Sequence, residues 1–263
     1  MRRGVIQATS CLFLLVSTLT WARGNSRPSF EFDPHELEAI RGSATQEVLA
    51  KLNSMTTEEL DIAAAQKFPE RDRKFDGRSL GMTVTDLAII AEELDDKRKA
   101  FRTETVLEAV HAAYKARYGN LIIDKPIWAW NNVGNTYARI AILACSFKEY
   151  IALWGTALPQ EGFSGVYKSM DVFDIMVTGK MKSGNASSNA ANAEVYIPGG
   201  RVSHLQRGET RFYTLNEYTY MIDYGRGKIA SSMWQGIFAP YLFSNHDWES
   251  LSTQFTECMK KIL

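Results

Sequence analysis

Apolar residues first cluster at the N-terminus, where residues 5–21 are rich in leucine, valine, isoleucine and phenylalanine. Two arginines precede this run and two follow it. A cleaved signal peptide fits the pattern, with Thr20 and Ala22 as small residues at the cleavage site. An uncleaved anchor fits equally well, because the following arginines could sit at the lipid surface. Either alternative predicts that residues 1–22 target the chain to a membrane or to the secretory route.

Helix-capping signals follow in a polar, charge-dense part of the chain. Asp33-Pro34 opens the first predicted soluble helix, within a lead-in segment of residues 23–52. The next segment, residues 53–102, holds two further helix starts. In each, a threonine is followed three positions later by an acid: Thr56 with Glu59, and Thr83 with Asp86.

Apolar periodicity predicts three longer helices. A stripe from Leu107 to Tyr114 indicates a helix that ends near Gly119. Through residues 133–153 the apolar positions recur at three- and four-residue steps, which predicts a second and longer helix. A last helix is predicted from about Trp248, with an apolar face that carries Leu251, Phe255 and Met259.

Beyond Gly162 the pattern becomes typical of strands. Short runs of β-branched and aromatic residues occupy residues 194–197, 210–215 and 218–224, and turn residues separate them. Strands of this length and spacing favour a compact barrel or sandwich over a parallel α/β sheet. Together with the helices they predict an α+β fold.

Composition and short motifs exclude several classes of function. Lysine plus arginine equals aspartate plus glutamate, 30 against 30, so no net field favours nucleic acid. The absence of a CxxC pair and of an HExxH run leaves a zinc site without support. Of the three cysteines, Cys11 lies in the N-terminal apolar run, so at most one intramolecular disulfide remains. The sequon Asn185-Ala186-Ser187 is usable only on the lumenal side of a membrane.

Asp223 is the most unusual residue in the strand region. It shares one face of its predicted strand with Met221, although aspartate is depleted in strands. If that face points inward, the carboxylate needs a proton, a hydrogen-bond donor or a cationic ligand. If the face is solvated, Asp223 is an ordinary surface residue, and the pattern of one strand leaves both alternatives open.

Asp171 and Asp174 lie in a second, mostly apolar stretch. Two carboxylates three residues apart share a face on a helix but oppose each other on a strand. Helix capping or a surface edge would explain them, whereas a carboxylate pair in an apolar cavity would supply one acid and one base. His204 has no metal-ligand companion at useful spacing, so the sequence favours a hydrogen-bonded structural histidine.

Several ordered segments resemble the family of the fungal sterol C8-isomerases and the mammalian sigma-one receptor. The segments that carry the resemblance are residues 149–158, 161–167, 194–199, 204–208 and 224–229. The resemblance is good over residues 103–263 and weak over residues 30–52. Residues 53–102 look like a charged insertion with no counterpart in the family.

The resemblance implies a complete architecture. It consists of an N-terminal membrane anchor helix, a cupin-like β-barrel with flanking helices, and membrane-facing C-terminal helices. It also implies a homotrimer in the endoplasmic reticulum membrane, and a barrel without a catalytic metal. Residues 103–263 would form the ligand-binding or catalytic domain.

Site residues are carried over from the resemblance position by position. Asp223 falls where the family has an acid, usually glutamate, that meets the ligand's positive charge. Asp174 or Asp171 would be the second acid, Tyr150 would bond the principal acid, and Trp154 replaces a phenylalanine of the pocket. The remaining substrate-binding candidates are Thr136, Ile140, Val202, His204 and Met221. Besides the insertion, the chain departs from the family in the shorter acid at position 223, in Ala144 in place of a histidine, in Thr136 in place of a pocket tryptophan, and in a C-terminal helix that stops early.

These residues predict a sterol isomerase that moves the double bond from C8 to C7 by protonation and deprotonation. The chemistry needs no redox cofactor. Expected partners are the sterol substrate, cationic amphiphilic amines as inhibitors, and membrane lipid. A non-catalytic receptor that binds such amines or sterols is the alternative, and a degenerate scaffold is a weaker third. The sequence does not assign which carboxylate is the acid and which the base.

Overall fold

The computed structural model describes residues 45–68, 83–95, 103–186 and 192–262. The predicted targeting segment, residues 1–22, lies outside these ranges, and so does the predicted helix start at Asp33. Ser187, which completes the sequon, also lies outside them.

In the described ranges, four helices precede the first strand. They are α1 (Thr45–Ser54), α2 (Thr57–Lys67), α3 (Val84–Asp95) and α4 (Thr103–Tyr118), which leads into a 3-10 turn (Gly119–Leu121). The two predicted capping signals that lie within the described residues are confirmed. Thr56 and Glu59 form a reciprocal capping box at the start of α2, and the backbone N–H of Asp86 donates to Thr83 Oγ1 over 3.0 Å. The predicted helix that ends near Gly119 is α4.

Ten strands of the described residues form two antiparallel sheets. They are β1 (Ala129–Val133), β2 (Thr136–Cys145), β3 (Glu149–Thr156), β4 (Gln160–Phe163), β5 (Met170–Thr178), β6 (Met181–Asn185), β7 (Glu194–Tyr196), β8 (Ser203–Leu205), β9 (Arg211–Leu215) and β10 (Thr219–Gly227). The larger sheet has the order β1-β2-β3-β10-β5-β8, and the smaller has the order β4-β9-β6-β7. The three strand runs predicted beyond Gly162 correspond to β7, β9 and β10.

The helix predicted over residues 133–153 is wrong, because this segment forms β2, a turn and the first part of β3. The two strands pair antiparallel, with Ile140 opposite Trp154 and Ala141 opposite Leu153. Nearly every residue of both strands is buried, so their apolar positions do not alternate with polar ones. A continuous apolar run of this kind matches a helical period and a doubly buried strand equally well.

The larger sheet is covered on both faces. One face packs against the helices, so Leu87 and Val110 join Phe173 and Ile222 in one buried cluster. The other face packs against the smaller sheet in a second cluster, which combines Trp154, Met176 and Met221 with Met181 and Leu215. The chain therefore has an α+β fold, with a helical layer on a β-sandwich.

The C-terminal segment returns across the sandwich after β10. It consists of α5 (Ile229–Met233), two π-helical turns (Trp234–Phe238 and Pro240–Asn245) and α6 (Trp248–Ile262), which confirms the predicted last helix. α6 packs on β1 and β2, and a disulfide joins Cys258 to Cys145 at the end of β2. Among the described helices, none has both the length and the hydropathy needed to cross a bilayer.

The disulfide should make a measurable contribution to stability. Cys258→Ser removes a link between residues 113 positions apart, and a link that closes so long a loop typically contributes about 2–4 kcal/mol to the free energy of unfolding. Thermal unfolding with and without a reducing agent measures the effect. Reduction should lower the Tm of the wild type and leave that of Cys258→Ser unchanged. An equal Tm for the oxidised and reduced wild type would contradict the expectation.

Candidate functional site

Two carboxylates face each other at the centre of the larger sheet. Asp223 on β10 is the direct cross-strand partner of Asp174 on β5, which places their Cα atoms about 5 Å apart. Ser203 on β8 is in turn the partner of Asp174. The three side chains therefore form a row across three neighbouring strands, on the face that looks toward the smaller sheet.

The row of Asp223, Asp174 and Ser203 lines a deep cavity between the two sheets and the C-terminal segment. The cavity encloses about 1130 Å³, its opening included, and its walls are mostly apolar. Methionine, isoleucine and aromatic side chains supply most of the surface. The carboxylates are thus half-buried in a cavity whose mostly apolar walls offer few groups that can stabilise a charge.

Tyr150 on β3 holds the first carboxylate in place. Its hydroxyl donates to Asp223 Oδ1 over 2.9 Å, and its ring crosses the backbone of Gly225, the cross-strand partner of Tyr150. A Cβ at position 225 would lie 2.1 Å from the Cε1 atom of Tyr150. Only glycine leaves room for this ring, so the sequence Asp223-Tyr224-Gly225 supplies both the acid and the space for its hydrogen-bond donor.

The second carboxylate has weaker support. Ser203 Oγ donates to Asp174 Oδ2 over 3.3 Å. Arg211 also lines the cavity, and its guanidinium donates to the hydroxyl of Tyr196. The positive charge of Arg211 favours the ionised form of Asp174. The two acids therefore have unlike surroundings, which is the arrangement that separates proton affinities in a pair.

Burial raises the pKa of both carboxyls. Desolvation is the largest cause for Asp174, whose pKa rises to about 6 while Ser203 and Arg211 oppose the rise. Desolvation and the negative charge of Asp174 together raise the pKa of Asp223 to about 8, against the hydrogen bond from Tyr150. Because two carboxylates this close cannot both ionise readily, the pair holds one proton and one negative charge near neutral pH.

Aromatic side chains complete the cavity around the acids. Burial raises the pKa of the Tyr150 and Tyr167 hydroxyls, and the charge of Asp223 raises it further, so both stay protonated. The indole of Trp154 meets the ring of Tyr213 edge to face, with centroids 6.4 Å apart. The Nε1–H of Trp154 donates to Asn131 Oδ1 over 3.0 Å. The site combines a shared proton with several aromatic surfaces.

Of the ten residues predicted from the sequence, six meet in this cavity and four do not. The six are Asp223, Asp174, Tyr150, Trp154, Met221 and Ile140. The other four, which are described but lie outside the cavity lining, are Asp171, Thr136, Val202 and His204. Thr136 lies behind the cavity wall and donates to the hydroxyl of Tyr213.

Strand geometry explains why Asp171 and His204 are placed elsewhere. Asp171 lies three residues before Asp174 on β5, so it points to the opposite face. There it accepts hydrogen bonds from the side chain and backbone of Arg207 and forms an ion pair with it. His204 follows Ser203 on β8, so it also faces away, where it stacks on Phe173 at a centroid distance of 4.3 Å.

Other lining residues were not predicted. Ser203 precedes His204 on β8, so a correct strand assignment would have placed it on the cavity side. Tyr167 closes one of the segments that resemble the family, but it lies in the connection between β4 and β5, outside any strand. Asn131 and Gln254 come from β1 and α6. No local pattern marks them, because their place in the cavity depends on how the C-terminal segment packs. Among the described residues, no group of three or more His, Cys, Asp and Glu side chains could hold a metal ion.

Comparison with known protein families gives a match over most of the chain. The family model described as "ERG2 and Sigma1 receptor like protein" matches residues 62–263. This region begins inside the segment predicted as an insertion, residues 53–102. The comparison thus covers every residue of the cavity described above.

Similar proteins carry two kinds of name. The sigma non-opioid intracellular receptor 1 of Gallus gallus is 30% identical over 138 residues, which is 52% of this chain and 60% of the relative. The C-8 sterol isomerase erg2 of Aspergillus fumigatus is 30% identical over 133 residues, 51% of this chain and 54% of the relative. The C-8 sterol isomerase of Pyricularia oryzae is 34% identical over 124 residues, which is 47% of this chain and 54% of the relative. The chain thus spans 54–60% of the length of these relatives.

Solved structures show only a slight likeness. KdgF from Halomonas sp. has a TM-score of 0.31 at 13% identity, over 37% of this chain and 86% of that one. The cupin domain of Schizosaccharomyces pombe Cnp3 has a TM-score of 0.30 at 12% identity, over 41% of this chain and 71% of that one. Scores this low do not establish a common fold, so the cupin-like barrel stays a prediction.

Asp223→Asn should change how stability depends on pH. The folded state keeps a proton that the unfolded chain releases near pH 4, so the wild type loses stability as pH rises from about 4 to about 8. Asparagine binds no proton and can still accept the Tyr150 hydrogen bond. The variant should therefore depend less on pH and be more stable than the wild type at pH 8, by roughly 1–3 kcal/mol.

Chemical denaturation of the purified protein between pH 5 and pH 8 measures this effect. Asp171→Asn serves as the matched control, because it removes a buried carboxylate that is paired with Arg207. That variant should be less stable than the wild type across the range. If Asp223→Asn were also destabilised at pH 8, the carboxyl of Asp223 would not be protonated in the folded state.

Proposed function

Since the chain belongs to the family of ERG2 and Sigma1-receptor-like proteins, we propose that it is a sterol C8-isomerase that moves the double bond of a Δ8 sterol to C7. The observation that carries the proposal is the pair of opposed carboxyls, Asp223 and Asp174, in a deep and mostly apolar cavity. The reaction requires one proton donor and one proton acceptor next to a hydrocarbon.

Because the acid pair shares one proton, it can both supply the proton that the reaction consumes and accept the proton that the reaction releases. A carboxylic acid of the pair donates its proton to C9, and the π electrons of the C8–C9 double bond form the new C9–H bond. This leaves a tertiary carbocation at C8. A carboxylate of the pair then removes a proton from C7, and the electrons of that C–H bond form the C7–C8 double bond. One proton enters the sterol and one leaves it, so the pair ends as it began.

The walls of the cavity suit the cationic intermediate. While the carbocation exists both Asp223 and Asp174 are ionised, and their charges stabilise it in a medium of low polarity. Aromatic faces stabilise cations as well, and Tyr150, Trp154 and Tyr167 line the same cavity. Apart from the acids the lining is mostly apolar, so few groups could capture the cation.

A membrane-bound substrate would reach the cavity from lipid. The C-terminal segment that closes the cavity exposes large apolar side chains, with Trp234 55%, Phe243 72% and Trp248 40% exposed. Such a surface is typical of an interaction with membrane or protein. We therefore place this segment against the membrane of the endoplasmic reticulum, with lipid as a partner. The homotrimer remains a prediction from the resemblance, and so do the anchor in residues 1–22 and the insertion in residues 53–102.

A second function fits one feature of the same site. The pair of Asp223 and Asp174 carries one negative charge near neutral pH, so a protonated amine with apolar ends would form an ion pair in the cavity without any reaction. In this alternative the chain is a receptor that binds cationic amphiphilic amines. In the isomerase such amines would be inhibitors, because they resemble the carbocation in charge.

Conversion of a Δ8 sterol to its Δ7 isomer by the detergent-purified protein tests the proposal, with mass spectrometry and chromatography as the readout. Asp223→Asn should lower the rate by about 100-fold or more, because it removes a proton-transfer group. Its unfolding transition shows whether the variant is folded. Full activity in a folded Asp223→Asn protein would rule out Asp223. No conversion by the wild type, together with tight amine binding that Asp223→Asn abolishes, would favour the receptor.

A matched pair of variants identifies the second acid. Asp174→Asn should lower the rate of conversion about 100-fold or more, because Asp174 lies beside Asp223 in the cavity. Asp171→Asn should instead lower the free energy of unfolding and leave the rate per folded molecule within a few-fold of wild type. The reverse pattern would show that Asp171, not Asp174, completes the pair.

A further inference from the structure

A chain of hydrogen bonds crosses the part of the cavity that α6 covers. It begins at Trp154, whose Nε1–H donates to Asn131 Oδ1. The Nδ2 of Asn131 donates to the hydroxyl of Tyr241 over 3.3 Å. That hydroxyl donates to the carbonyl oxygen of Trp130 and accepts from Nε2 of Gln254. These hydrogen bonds link β1 and β3 to the second π-helical turn and to α6.

The donor and acceptor chemistry of these groups fixes the orientation of each side chain in this series of hydrogen bonds. An indole nitrogen can only donate, so Asn131 must present its oxygen to Trp154 and its amino group to Tyr241. The hydroxyl of Tyr241 donates its proton to the carbonyl oxygen of Trp130. The hydroxyl oxygen of Tyr241 and the carbonyl oxygen of Trp130 both accept a hydrogen bond from Gln254. The amide of Gln254 therefore turns its Nε2 toward them. Gln254 Oε1 therefore points away from Tyr241 and from the carbonyl of Trp130.

Gln254 Oε1 is consequently a buried acceptor with no hydrogen-bond partner among the described residues. The residue is 2% exposed and lines the cavity. A buried polar atom without a partner typically costs about 1–3 kcal/mol. A ligand that brings a hydrogen-bond donor to this position would remove that cost.

The position of Gln254 is held firmly on α6. One turn before it, Ser250 Oγ accepts from the backbone N–H of Trp130 over 3.0 Å. One turn after it, Cys258 is bonded to Cys145. Three residues at successive turns thus attach one face of the helix to β1 and β2. A group fixed in this way is preorganised for binding.

We propose that Gln254 Oε1 accepts a hydrogen bond from a hydroxyl at one end of the ligand, and so orients the ligand between this acceptor and the acid pair. Asn131, which is linked to Gln254 through Tyr241, lies on β1. This strand is three strand spacings from β10, which carries Asp223, or roughly 14 Å across the sheet. A rigid apolar ligand with one hydroxyl would span the two polar positions. The inference rests on the proposed function, under which the donor is the 3β-hydroxyl of the sterol.

Binding of two probes tests this arrangement in the full-length, detergent-solubilised protein. One probe is a Δ8 sterol with a 3β-hydroxyl, and the other is the same sterol without it. Displacement of a radiolabelled Δ8 sterol gives both dissociation constants. Gln254→Met removes the acceptor and should lower the preference for the hydroxylated probe about 10-fold relative to wild type. Partitioning of each probe into detergent cancels in this comparison.

Three further variants sharpen the test. Thr253→Val is the matched control, because Thr253 is buried on the same helix but is not part of the cavity lining. It should keep the wild-type preference. Gln254→Glu should keep most of it, since a buried carboxylic acid retains both a carbonyl acceptor and a donor. Tyr241→Phe should lower it, because the amide of Gln254 loses the partner that orients it.

An unchanged preference in both Gln254→Met and Tyr241→Phe would overturn the inference. Conversion of the Δ8 sterol by the wild type would then still stand as evidence for the isomerase. A preference that Gln254→Met abolishes, in a protein that converts no sterol, would support the hydroxyl anchor and refute the enzyme. Failure of both probes to displace the radiolabelled sterol would overturn the anchor and the sterol function together.

Discussion

The site depends on one electrostatic constraint, which is that two carboxyls on adjacent strands of an apolar cavity do not both ionise readily unless a cation lies beside them. Asp223 and Asp174 are direct cross-strand partners, so their separation is set by the spacing of strands rather than by flexible loops. Desolvation then raises both pKa values, and the negative charge of Asp174 raises that of Asp223 further. A shared proton is the consequence, and both functions considered for the chain use it.

The fold holds the acid pair in this apolar environment. The larger sheet is buried on both faces, with the helices on one side and the cavity on the other. Because side chains alternate along a strand, each central strand contributes core residues to one face and site residues to the other. The same alternation separates Asp174, beside its partner acid, from Asp171, which is ion-paired with Arg207 on the far side. Two similar acids on one strand therefore have unlike surroundings.

The C-terminal segment turns an open sheet face into an enclosed site. Its last helix is attached to β1 and β2 by a hydrogen bond, a disulfide and the amide of Gln254. These links bring the amide of Gln254 into the cavity that also holds the acid pair. Three of the residues that attach the helix to the sheet, Cys145, Gln254 and Cys258, also line the cavity beneath it.

The sequence by itself determined the capped helices α2 and α3, the helix α4, the strands β9 and β10, and the last helix, because each has a local signal. It also singled out Asp223, an acid out of place in an apolar strand. Only the tertiary structure decided that residues 133–153 form two strands, since burial on both faces removes the alternation that distinguishes a strand from a helix. It also decided which face of β10 and β5 points inward. The pairing of Asp223 with Asp174, and the arrival of Gln254 from α6, follow from strand register and helix packing, which join residues far apart in the chain and leave no local pattern in it.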